Sequence, residues 1–160
     1  MSWLICIFIV FTTFCTMEGI TWLTHKYIMH GFLWYLHQDH HKPGKSFFEK
    51  NDAFFLIFAI PAWLCIMFGS IYHASWLVSI GVGITLYGIA YLLVHDVIIH
   101  QRFKWFTNSN NRYIKAIRRA HKMHHRHLEK TDGESFGMLF VSKKYWNKIR
   151  HDEELKKSAV

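Results

Sequence analysis

The sequence predicts an all-α integral membrane helical bundle of three membrane segments, with room for a fourth, and with its histidine-bearing helices in the cytoplasm. Three observations predict it. Two stretches nearly devoid of charge are long enough to cross a bilayer, every lysine and arginine lies outside them, and histidines gather where the stretches end.

The first stretch runs over about residues 2–24, where Glu18 is the sole ionisable side chain apart from the cysteines. A spanning helix needs about 20 apolar residues. The segment lacks the basic start and small-residue cleavage site of a secretory signal, so it reads as a retained span. Residues 53–94 contain no Asp, Glu, Lys or Arg. They suffice for two spans, about 53–71 and 75–97, with a turn near Gly69, Ser70 and His73. A buried hairpin in a soluble core fits poorly, because too little of a 160-residue chain remains to cover it. The apolar run from Phe136 to Val141 leaves room for a short fourth inserted segment. Residues 147–160 read as a polar tail, and the whole of 1–160 as one membrane-embedded domain.

Loop charge gives the orientation. All 19 Lys and Arg fall in residues 26–50 or after residue 101, and the net charge is +8. The positive-inside rule then places the histidine-bearing ends and the basic C-terminal region on the cytoplasmic side of a cytoplasmic membrane, with the N-terminus outside. Cys6, Cys15 and Cys65 all sit in the predicted spans without a CxxC pattern. They read as small apolar residues, with neither a disulfide framework nor a thiolate site.

Ten of the 13 histidines form four clusters. His25 and His30 make H-x-x-x-x-H, and His37, His40 and His41 make HxxHH; His95 and His100 repeat the first pattern, and His121, His124 and His125 the second. Each pair of clusters begins where a span reaches the cytoplasmic face. In an α-helix, positions i, i+3 and i+4 share a face, so HxxHH aims three imidazoles one way. The H-x-x-x-x-H pair would splay by about 140° on an α-helix, which suits ligands for different metals or a span that ends or bends there. In NRYIKAIRRAHKMHHRH (111–127), His121, His124 and His125 share a helical side with Tyr113, Ile114, Ile117 and Ala120. The cations Arg112, Lys115, Arg118, Arg119, Lys122 and Arg126 take the other side, facing water or lipid phosphate.

Any one of these histidines alone would read as an ordinary core or surface residue. Ten in a repeated spacing point to metal, and ten are too many for one ion, so two ions with open positions are expected. Imidazole accepts iron, zinc, copper or nickel. The absence of H-E-x-x-H counts against a zinc metalloprotease. His73 reads as a turn residue, His151 as a tail residue, and His127 as a bystander near the last cluster. Glu18 lies seven residues before His25, near the same helical face. An intramembrane carboxylate is costly and usually paired, so it is a candidate partner for an imidazole, as is Asp96 beside His95.

The four clusters, in this order on these membrane exits, resemble the fatty acid hydroxylase superfamily of membrane di-iron oxygenases. Within it, HDVIIHQRF (95–103) and AHKMHHRH followed by DGESFGMLFVSKKYW (132–146) are similar to the bacterial beta-carotene 3-hydroxylases. The likeness runs from about Glu18 to Trp146. It implies a di-iron centre held by His25, His30, His37, His40, His41, His95, His100, His121, His124 and His125, with dioxygen as co-substrate. It also implies hydroxylation of beta-carotene or a related carotenoid at ring position 3, through cryptoxanthin to zeaxanthin. The chain carries no flavin, haem or dinucleotide fingerprint, so electrons would come from a separate donor, which the resemblance implies is a reduced ferredoxin-type protein. The cationic face from Arg112 to Lys130 could dock an acidic donor or anchor to anionic lipid. The partners expected are therefore carotenoid, electron donor and bilayer, with no nucleic acid. The alternatives are a hydroxylase, desaturase or ketolase of another membrane lipid, whether fatty acyl, sterol or carotenoid. More remote is a membrane haem or metal-transport protein, whose ligands would lie within the spans or along a path through them.

Overall fold

The computed structural model describes residues 1–42, 48–131 and 133–158, and among these every regular element is helical. Helix α1 (Trp3–Leu23) runs without a break into a π-helical segment, Thr24–Phe32, which kinks at Gly31, whose φ and ψ are −102° and −124°. A short α2 (Trp34–His41) follows, then a 3₁₀ turn at Lys50–Ala53 and α3 (Phe54–Ile71). Helix α4 (Ser75–Leu92) continues into a second π-helical turn, Leu93–Ile99. Two further helices, α5 (Arg112–His124) and α6 (Lys143–Ser158), complete the described chain.

Three continuous helices are long and apolar enough to cross a membrane: Trp3–Phe32, Lys50–Ile71 and Ser75–Ile99. The first and third outrun the expected spans because each absorbs a π turn. Their outer faces carry exposed Trp3, Phe8, Phe11, Phe55 and Trp63, which suits hydrocarbon rather than water. Residues 136–141 form no helix. That stretch is irregular backbone held against α1 by Glu18, which answers the question of a fourth helical span.

Helix α4 is the centre of the bundle, packing against α1 on one side and α3 on the other. Two glycines allow the close approach. A Cβ at Gly81 would lie 2.7 Å from the Ala62 carbonyl on α3, and one at Gly83 would lie 2.8 Å from the Val10 carbonyl on α1. Small residues at such contacts gain the dispersion energy that holds helices together in lipid. The α3–α4 turn closes with His73 in the left-handed region at φ 53°, and the Ala74 N–H donates to the Gly69 carbonyl at 2.8 Å. His73 is therefore exposed at the end of α4 remote from the second π turn, and α4 rises about 27 Å over its 18 residues.

Helix α5 begins at Asn111, whose side chain accepts from the Tyr113 and Ile114 amides. It packs on α6 through Ala116, Ala120, Tyr145 and Ile149. The cationic side is partly engaged within the protein. Arg112 and Lys115 pair with Glu153, and Arg119 pairs with Asp152. Arg118 donates to the carbonyls of Ile98, Phe106 and Thr107, tying α5 to the chain just after the second π turn. The last two residues of the polar tail lie outside the described residues.

Candidate metal centre

The π turns resolve the H-x-x-x-x-H spacing. Their backbone bonds run from i+5 to i: the His100 N–H donates to the His95 carbonyl at 2.8 Å, and Leu33 to Ile28 at 3.0 Å. Residues five apart then stand on one face rather than splaying as in an α-helix. The His25 and His30 rings have centroids 5.3 Å apart, and the His95 and His100 rings 4.4 Å. Each pair therefore converges on one site instead of reaching two.

The HxxHH motifs do the reverse, for a simple reason. Three ligands within one turn of α2 or α5 span the gap between two neighbouring sites. Ligand atoms of His25, His30, His37 and His124 cluster within 4.8 Å of one another, and so do those of His40, His95, His100 and His121. Helix α2 thus gives His37 to the first group and His40 to the second, while α5 gives His121 to the second and His124 to the first. Each half of the chain supplies three ligands to one site and one to the other. His41 and His125 stack between the groups, with centroids 4.8 Å apart and planes at 18°. His41 Nε2 lies 3.1 Å from His37 Nε2, and His125 Nε2 lies 2.8 Å from His121 Nε2, adding one neighbour to each site. All ten histidines named from the sequence meet here. His73 and His151 are exposed, and His127 joins neither group.

Hydrogen bonding shows what these sites can hold. Six rings present Nδ1 to an oxygen: His25 to the Phe136 carbonyl (3.1 Å), His30 to Lys130 (3.2 Å) and His124 to Glu134 (2.9 Å). His37 faces Asn51 Oδ1 (2.7 Å), His40 faces Glu49 (2.8 Å) and His95 faces Asp96 (3.3 Å). Each oxygen requires a proton on Nδ1, which leaves Nε2 as a bare lone pair. Yet the Nε2 atoms of His25 and His37 are 3.1 Å apart, those of His30 and His124 3.3 Å, and those of His40 and His95 3.1 Å. Two lone pairs at that distance repel unless a cation lies between them. Protonation is no remedy. Burial, against a smaller upward pull from Asn51, holds His37 at about 3. Burial and the neighbouring His41 and His30 bring His124 to about 2, and burial followed by His41 and His95 takes His125 to about 3. Burial and surrounding imidazoles likewise keep His40 and His121 well below their ordinary value. A metal–nitrogen bond of about 2.1 Å sets adjacent ligand atoms roughly 3 to 3.5 Å apart. The residues present fit two metal ions.

The same shifts fix a pH dependence. An unfolded histidine titrates near 6.5 and these titrate lower when folded, so the unfolded chain binds more protons in the interval between. Their contribution to stability is complete above 6.5 and is lost as pH falls. The metal-free chain in detergent is expected to melt at progressively lower temperature from pH 6.5 toward about 3, the value set by burial for His37 and His125. Thermal melts across that range, followed by circular dichroism, check it; a flat profile would contradict neutral buried imidazoles.

The carboxylates differ from one another. Asp96 faces His95 at 3.3 Å. Glu18 touches no imidazole among the described residues. Its Oε1 accepts from the amides of Met138, Leu139 and Phe140 at 2.9, 2.9 and 3.1 Å, and its Oε2 accepts from the Tyr87 hydroxyl at 2.7 Å. It anchors the strip whose Glu134 and Phe136 carbonyls accept from His124 and His25, and so acts on the first site one step removed. Sequence reasoning missed Glu49, Asn51 and Arg102. Arg102 bridges Asp52, Glu49 and Asp96 at 3.1, 3.3 and 3.4 Å behind the second site. No spacing announces them, since they sit in turns rather than on a helical face.

Fold and site together define a membrane-embedded helical protein with a polyhistidine metal centre at the ends of its spans. Residues 7–150 match the family model described as fatty acid hydroxylase, and the chain belongs to that family. It is 42% identical over 143 residues to the beta-carotene hydroxylase of Pantoea ananas, covering 88% of this chain and 80% of that protein. It is 39% identical over 137 residues to the beta-carotene hydroxylase of Pseudescherichia vulneris, covering 84% and 76%. Beta-carotene hydroxylase 2, chloroplastic, of Capsicum annuum is 37% identical over 139 residues, 84% of this chain and 44% of the pepper protein. No solved structure matches.

Proposed function

We propose that the chain is a beta-carotene 3-hydroxylase that converts beta-carotene through cryptoxanthin to zeaxanthin, using two iron ions, dioxygen and a reduced ferredoxin-type donor. The observation that carries this reading is the pair of interlocked histidine sites in a chain 42% identical to a bacterial beta-carotene hydroxylase. Bound iron supplies the reductive activation of dioxygen that hydroxylating an unactivated C–H bond requires. Per ring, one oxygen atom enters the C–H bond and the other leaves as water, consuming two electrons and two protons from the donor side.

The chain's own part is to hold, orient and admit. The Nδ1 bonds lock eight-ligand geometry by fixing six of the rings with Nε2 pointing inward. A cavity of about 600 Å³ has His121 in its wall, with apolar Trp22, Ile99, Ile117 and Phe136 and the charged Glu18 and Lys144 also lining it. That volume is ordinary for a small-molecule site. Because Trp22 belongs to α1, a helix with exposed apolar faces, a carotenoid ring entering beside it leaves the polyene in hydrocarbon. On the donor side, Lys122 and Arg126 have no ion-pair partner among the described residues and are exposed. They favour an acidic partner beside α5. With the loop charges as they are, the site faces the cytoplasm. A C-terminal phosphatase fusion is expected to be inactive in the periplasm, and activity there would overturn that orientation.

Expression in a host accumulating beta-carotene, with a competent ferredoxin supply, tests the reaction. Chromatography of the pigments is expected to show zeaxanthin and some cryptoxanthin. Unchanged beta-carotene despite protein in the membrane would refute it, and echinenone or canthaxanthin would identify a ketolase instead.

A further inference from the structure

The two histidine sites look alike in ligands but differ in what stands behind them. In the first, the four Nδ1 atoms of His25, His30, His37 and His124 all face neutral amide oxygens. In the second, His40 faces the carboxylate of Glu49, and His95 that of Asp96. Among the described residues, Glu49, Asp96 and Asp52 share a single cation, Arg102. Three carboxylates against one guanidinium leave the described surroundings of the second site with net negative charge. Both carboxylates are mostly sheltered, with Glu49 side-chain exposure at 16% and Asp96 at 13%, so water screens them poorly. A carboxylate accepting Nδ1–H makes the opposite nitrogen a stronger donor and adds Coulomb attraction for a cation.

We propose that the centre is asymmetric: Glu49 and Asp96, positioned by Arg102, make the His40, His95, His100 and His121 site the tighter of the two for a divalent cation. This rests on the metal-binding reading above. The residues act through their imidazoles and are positioning residues. Two similar sets of imidazoles therefore fill in a fixed order, the carboxylate-backed one first.

The experiment uses the full chain in detergent, stripped of metal and titrated with Co(II) against a competing chelator, with visible absorption as the readout. Two binding phases are expected, with His95→Ala abolishing the tight one and His37→Ala the weak one. Repulsion between two ions would separate phases in any case, so the assignment of phase to site is what decides. Glu49→Gln and Asp96→Asn, which keep an acceptor but lose the charge, should each weaken the tight phase by about 10- to 100-fold and leave the weak phase in place. Asn51→Asp places a carboxylate behind His37 and should tighten the weak phase toward the other, an effect no loss of folding could produce. Circular dichroism of each variant reports its helix content. A tight phase that survives His95→Ala, two phases unmoved by Glu49→Gln and Asp96→Asn, or a weak phase unmoved by Asn51→Asp would overturn the asymmetry while leaving the metal sites standing. No cobalt bound at all would overturn the metal reading itself.

Discussion

Alanine at any of His25, His30, His37, His40, His41, His95, His100, His121, His124 or His125 is expected to cut hydroxylation by at least about 10- to 100-fold, the range that loss of even a supporting partner produces. Iron should fall with it, and the pattern of loss carries the sharper test. His37 and His40 are one turn apart on α2, yet they belong to different groups. His40→Ala should therefore impair the site built mainly by the second half of the chain, and His37→Ala the site built by the first. His121→Ala and His124→Ala on α5 should mirror them. Each variant is expected to retain about one iron per chain where the parent holds two. His73→Ala and His151→Ala should keep full activity, since both side chains are exposed and neither joins a group. The checks are hydroxylated carotenoid per amount of membrane protein and iron per purified chain. A dead His73→Ala beside a fully active His124→Ala would remove the basis for the centre.

Much of this was legible because membrane insertion and metal binding both leave coarse marks. Charge-free runs of bilayer length mark α1, α3 and α4, and repeated clusters mark the ligands. The sidedness of α5 also survives: His121 and His124 are buried with Ile117 and Ala120, as the apolar face requires. The partition of ligands was hidden for a physical reason. The angle between residues five apart depends on helix type, and nothing in THKYIMHGF or LVHDVII distinguishes a π turn from an α turn by composition. Once the turn widens, the inference from splay reverses. The supporting shell was hidden for another reason: three of its acceptors are backbone carbonyls, of Lys130, Glu134 and Phe136, which every residue type possesses. Glu18 was conspicuous by charge, but its partners are amides some 120 positions away, a contact only the fold creates.

Glu18→Ala is accordingly expected to be as damaging as losing a ligand, though Glu18 binds no metal. Removing the carboxylate strands three backbone N–H groups, at Met138, Leu139 and Phe140, and leaves the Tyr87 hydroxyl with Thr21 alone. A buried polar group left without a partner costs about 1–3 kcal/mol. The strip around residues 134–140 should release from α1, and with it the carbonyls that hold His25 and His124. The expected result is a lower melting temperature in detergent, iron reduced toward one per chain with the first site emptied, and hydroxylation lost. Glu18→Gln keeps an acceptor for the amides but exchanges charge-assisted bonds for neutral ones, roughly halving their strength, so it should fall between parent and alanine. Tyr87→Phe removes the hydroxyl's bonds to Glu18 and Thr21 but spares the strip, so its iron content should stay at two. If Glu18→Ala kept both irons and full activity, the strip would be held by something other than this carboxylate. The ordering of the three variants separates anchoring from ligation: a ligand would tolerate neither alanine nor glutamine, whereas an anchor is graded by how many amides it still satisfies.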